Sequence, residues 1–101
     1  MTNKIQEIQV LEQSLQNLIY QKQVFQMELS ETQSALKEIE KSGEEVFKII
    51  GQLMIKTEKE KIKEELSNKE KILKMRINSI EKQENSIEEK LENLKKEMTK
   101  S

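Results

Sequence analysis

The sequence predicts a mainly α protein, a long antiparallel two-helix coiled-coil hairpin with a β-hairpin at its centre. Three observations carry this. Apolar residues recur at heptad spacing towards both ends of the chain, both glycines lie in one central stretch, and that stretch holds β-formers at a density found nowhere else. The 101 residues form one domain, with a first coiled-coil helix at 1–42, a β-hairpin base at 43–57 and a second coiled-coil helix at 58–101.

Composition supports long solvated helices. Only 34% of residues are hydrophobic and 3% aromatic, against 37% charged, so the chain suits exposed helices better than a thick core. Every acid is Glu, and proline is absent. Eighteen Lys and Arg balance nineteen acids at a net charge of −1, which leaves no field to draw nucleic acid or an anionic membrane. Neither is expected as a partner.

With no cysteine there is no disulfide framework, thiol nucleophile or thiolate metal site, and with no histidine the usual general base and commonest metal ligand are missing. No catalytic residue, metal or cofactor is expected. The absence of a long apolar run and of a basic-then-apolar start argues against a membrane span or secretory signal. A soluble, cytoplasmic protein is the expectation.

From Ile8 to Ile39 one register holds throughout, with Ile8, Leu15, Lys22, Leu29 and Leu36 at a and Leu11, Leu18, Phe25, Thr32 and Ile39 at d. Eight of these ten are apolar, which predicts a coiled-coil helix. The glutamines at 6, 9, 13, 16, 21, 23, 26 and 33 read as a solvated face. Lys22 and Thr32 interrupt the seam. A polar a residue costs stability and fixes register or partner, although a lysine also escapes a seam by snorkelling. A Lys22 held in the seam predicts that leucine there raises stability, unless it pairs with a glutamate of the second helix. Ser42-Gly43 then ends the helix, glycine being the residue that most easily turns left-handed past a helix end.

Val46, Phe47, Ile49 and Ile50 form one β-rich run and Leu53, Met54 and Ile55 another, separated by Gly51-Gln52. A Gly-X separator matches a two-residue type II′ turn, which sets Ile50 opposite Leu53, Ile49 opposite Met54 and Phe47 opposite Lys56. Both faces are then apolar, and no other segment of the chain covers them. Other chains must do so. Val46, Phe47, Ile49, Ile50, Gly51, Leu53, Met54 and Ile55 are therefore the expected subunit interface. The alternative is that this stretch is helical and the chain a single rod.

Thr57-Glu58-Lys59-Glu60 reads as a capping box that starts the second helix. Leu66, Leu73, Ile80, Ile87 and Leu94 recur every seven residues, with Ile77, Leu91 and Met98 at the other seam position and Glu70 and Glu84 where that position weakens. Glu65, Glu70 and Glu92 each precede a lysine by four, the favourable order for helix support. Two such helices joined by a chain-reversing insert fold back on each other and bring the termini together.

The run Val46-Phe47-Lys48-Ile49-Ile50-Gly51-Gln52-Leu53-Met54-Ile55-Lys56, followed by Arg76-Ile77-Asn78-Ser79-Ile80-Glu81-Lys82-Gln83-Glu84, resembles the β-type subunit of the prefoldin family over nearly the whole chain. The resemblance implies a heterohexamer of two α-type and four β-type subunits whose hairpins join into β-barrels. It also implies an ATP-independent co-chaperone whose coiled-coil tips hold unfolded polypeptides and pass them to a group II chaperonin. A structural coiled-coil adaptor is the alternative, and an enzyme has no support.

Fraying locates the expected client-binding residues. Helix ends open at almost no cost, so Ile5, Ile8, Val10 and Leu11 of the first helix, with Ile87, Leu91, Leu94 and Met98 of the second, become an intermittent apolar surface. Unbranched Met98 suits varied clients.

Overall fold

The computed structural model describes the backbone of residues 3–41, 45–50 and 53–99 and the side chains of residues 3–41 and 58–99. In chain order the elements are α1 (Lys4–Glu40), β1 (Glu45–Ile50), β2 (Leu53–Glu58) and α2 (Lys59–Thr99).

α1 starts on a cap. The Asn3 Oδ1 accepts a hydrogen bond from the Ile5 N–H at 2.9 Å, and the Asn3 carbonyl accepts from the Glu7 N–H at 3.1 Å. An asparagine side chain in this place satisfies one of the four donors that every helix start leaves free. All ten predicted seam positions of α1 are buried or partly buried, and seven of the eight glutamines are exposed. At the other end the Lys41 N–H donates to the Glu38 carbonyl at 3.2 Å, the tighter turn that commonly closes a helix. Ser42 and Gly43, the expected terminator, lie outside the described residues.

β1 and β2 pair antiparallel, from Glu45 opposite Glu58 to Ile50 opposite Leu53. Ile49 stands opposite Met54 and Phe47 opposite Lys56 in this ladder. The centre of the chain is thus strand, and the alternative of one continuous helix does not apply. Residues 51–52 and the side chains of residues 45–50 and 53–57 fall outside the described residues.

The start of α2 differs from the capping box read in the sequence. Thr57 is a strand residue paired with Val46, and α2 begins at Lys59, so Glu58 takes the place before the helix. The ladder continues to Glu45–Glu58, and the extended backbone it imposes outweighs the local preference of threonine for a cap. Along α2 the seam positions from Leu66 to Leu94 are buried or partly buried, Glu70 and Glu84 included. Met98 is 44% exposed, so the seam stops at Leu94, one position earlier than the spacing indicates.

The chain divides into two compact units. In the first, Met1–Phe25 with Arg76–Ser101, Lys4 pairs with Glu97 at 3.1 Å, Lys22 with Glu84 at 2.8 Å, and the Arg76 guanidinium lies 5.6 Å from the centre of the Phe25 ring. Partners on α2 fall in number as those on α1 rise, so the helices run antiparallel. The buried core of this unit is Ile8, Leu18, Ile77, Ile80 and Leu91. In the second unit, Gln26–Met75, Leu73 is only 2% exposed and is the most buried side chain described. Here Lys63 pairs with Glu40 at 2.9 Å, and Lys59 Nζ reaches the Glu40 carbonyl at 3.5 Å, near the end of α1. The hydrogen bond from Lys63 holds the Glu40 carboxyl below its ordinary range.

The two polar seam residues of α1 are accommodated differently. Buried Thr32 donates its hydroxyl to the Glu28 carbonyl at 2.8 Å, one turn back, and so satisfies its own polar group within α1. Lys22 lies against Glu84, which is only 6% exposed. The ammonium is 2.8 Å from Glu84 Oε1, yet that oxygen has no hydrogen bond of regular geometry. We read the contact as a close ion pair with poor alignment, in which nearness of charge matters most. The close contact with Glu84, with the added fields of Glu84, Glu81 and Glu88, raises the Lys22 pKa against a smaller opposing effect of burial.

Two stability tests follow from this packing. Leu73→Ala opens a cavity in the most buried layer and is expected to cost about 2–5 kcal/mol in urea unfolding. The ion pair reverses the sign read from heptads alone for Lys22→Leu: leucine leaves the Glu84 carboxylate buried without its counter-charge, and the melting temperature at neutral pH should fall. A rise would mean that Glu84 moves out to water at little cost.

Candidate functional site

Within the first unit, α1 and α2 border an open groove of ≈ 590 Å³. Val10, Leu11 and Leu94 supply its apolar lining, beside Gln6, Asn93 and the charged Glu7, Lys90 and Glu97. Its position follows from heptad geometry. Leu11 and Leu94 are seam residues and only partly buried, while Val10 stands next to the seam and is 65% exposed. Apolar surface from both helices therefore reaches solvent in one place, most of all at Val10.

The eight residues expected at the tips separate into three kinds. Ile5 (51% exposed), Val10 and Met98 face solvent; Leu11, Ile87 and Leu94 are partly buried; Ile8 and Leu91 are core. Val10, Leu11 and Leu94 share the groove. The ion pair between Lys4 and Glu97 joins α1 and α2 in the same unit, but both side chains are about half exposed, and such pairs contribute little.

The eight predicted interface residues sit in or beside the two strands. Val46, Phe47, Ile49 and Ile50 belong to β1 and Leu53, Met54 and Ile55 to β2, while Gly51 lies outside the described residues. Sequence reading passed over a further set of exposed apolar side chains, Ile19, Tyr20 and Val24 in the first unit and Met27, Ile72 and Met75 in the second. The signal was available. All six lie off the a and d positions, where a two-helix seam has no use for an apolar side chain.

Among the described residues no helix is long and apolar enough to cross a membrane, and no three acidic, histidine or cysteine side chains are grouped to hold a metal. The charged groups that border the groove are Glu7, Lys90 and Glu97. It can hold apolar groups by contact.

Comparison with known proteins places these features in a family. Residues 2–101 match the family described as prefoldin subunit. The chain is 43% identical over 90 residues to the prefoldin subunit beta of Thermococcus onnurineus, covering 87% of this chain and 78% of that protein. It is 40% identical to the prefoldin subunit beta of Pyrococcus furiosus, covering 87% and 77%. The crystal structure of the prefoldin beta subunit from Thermococcus strain KS-1 superposes with a TM-score of 0.87 at 38% identity, over 93% of this chain and 84% of that one.

Proposed function

Because the chain belongs to the prefoldin subunit family and is of its β type, we propose that it is a non-catalytic, ATP-independent holding chaperone that binds unfolded polypeptides at the open end of its helix pair. The groove bordered by Val10, Leu11 and Leu94 carries the reading. The apolar lining of this groove suits capture of exposed apolar side chains from a non-native chain. Each contact is weak, and several copies acting on one client raise the overall affinity by avidity.

Several copies require an assembly. In this proposal the paired strands β1 and β2 join those of an α-type subunit and of further copies, two α and four β in all, in barrels covered on both faces. The complex works in the cytoplasm and passes its client to a group II chaperonin. A two-stranded ladder alone is marginal in water, which supports a role for other chains in completing it.

Assembly and capture are separable by mutation. Burial of each large apolar side chain of the strands stabilises an interface by about 1.5–3 kcal/mol, so Phe47→Asp or Ile55→Asp should release subunits from the complex with little loss of helicity. Full-size complex retained by both variants, measured by native mass spectrometry, would assign assembly to the helices. Deleting residues 1–7 together with 92–101 should leave the assembly mass unchanged and abolish protection of a denatured client against aggregation. Undiminished protection would remove the helix ends as the binding site, and absence of protection by the intact complex would favour a structural adaptor.

A further inference from the structure

We propose that the Lys22–Glu84 ion pair is a pairing determinant, which makes α1 close on the α2 of its own chain and not on the matching helix of a second copy. The apolar pattern has no such preference. α1 carries eight apolar residues in ten seam positions, and α2 repeats Leu and Ile every seven residues from Leu66 to Leu94. Each helix therefore has an apolar edge complementary to itself as well as to the other. In a parallel α1 pair from two copies, layer would meet identical layer, leucine on leucine and isoleucine on isoleucine. Such pairing is the ordinary mode of two-stranded coiled coils.

Lys22 and Glu84 are where the self-complementarity breaks. A parallel α1 pair brings two Lys22 ammonium groups into one seam layer, and a parallel α2 pair does the same with two Glu84 carboxylates. Only α1 on α2 places opposite charges together, as the 2.8 Å separation shows. Glu84 is buried and its Oε1 has no other partner among the described residues, so in a homotypic pair neither the carboxylate nor the ammonium would be neutralised. Like charges set against each other discriminate more strongly between partners than opposite charges attract. This also explains why a buried ion pair occupies a layer that leucine would fill with better packing. The determinant acts whether or not the protein is a chaperone, and it is most needed where several copies are held close together.

The 101-residue chain has no cysteine, which permits a direct test. Leu18 is a buried seam residue four positions before Lys22, so a Leu18→Cys chain has no thiol partner within itself and forms a disulfide only when two α1 helices pair. Under mild oxidation the reporter should give little cross-linked dimer in the native background and roughly tenfold more when Lys22→Leu and Glu84→Leu are combined. Exchanging the charges, Lys22→Glu with Glu84→Lys, should restore the low level, since homotypic pairs are again repulsive. Neutralising the surface pair with Lys63→Gln and Glu40→Gln should not raise it. The proposal is overturned if the double leucine chain cross-links no more than the native one, or if the charge-exchanged chain cross-links well above the native level. The second criterion stands even where the leucine variant does not fold.

Discussion

The structure rests on burial of one apolar edge of α1 against one apolar edge of α2. Long polar helices of this kind have little reason to persist alone in water, since most helical stability in proteins comes from packing of an apolar face. The buried hydrophobic set is small: Ile8, Leu18, Leu73, Ile77, Ile80 and Leu91 among the described residues. With so few core side chains, every layer of the seam counts, and so does every departure from it.

Three departures carry most of the protein's individuality, and each has a different physical resolution. Thr32 hides its hydroxyl by bonding to its own helix, so the seam continues through it. Lys22 and Glu84 satisfy each other across the seam, a weak source of stability but a strong criterion for the right partner. At the groove exposed Val10 stands beside the partly buried Leu11 and Leu94, so apolar surface is left facing solvent. The first two are polar groups that the structure neutralises. The third is apolar surface that it leaves uncovered, which is why the proposed function places client binding there.

Under the proposed function the same heptads serve two opposed demands. A residue that closes the seam is unavailable to a client, and a residue available to a client adds little to the seam. Ile8 and Leu91 fall on the first side, Ile5, Val10 and Met98 on the second, with Leu11, Ile87 and Leu94 between. A holding chaperone needs that intermediate class, because surface that is always exposed invites self-association and surface that is always buried binds nothing.

The sequence by itself determined the two helices, the strand pairs at the centre and which edge of α1 is buried, because these follow from spacing and residue type within a few turns of chain. Side-chain period and glycine placement are local signals, and family resemblance reinforced them. It did not determine that Thr57 stays in the ladder, that Met98 falls outside the seam, or that Asn3 caps α1, since each depends on where one element yields to the next. Only tertiary structure paired Lys22 with Glu84 and brought Val10 and Leu11 beside Leu94. Those neighbours are more than sixty residues apart in the chain, and their meeting depends on the register in which two helices pack, which no single helix encodes.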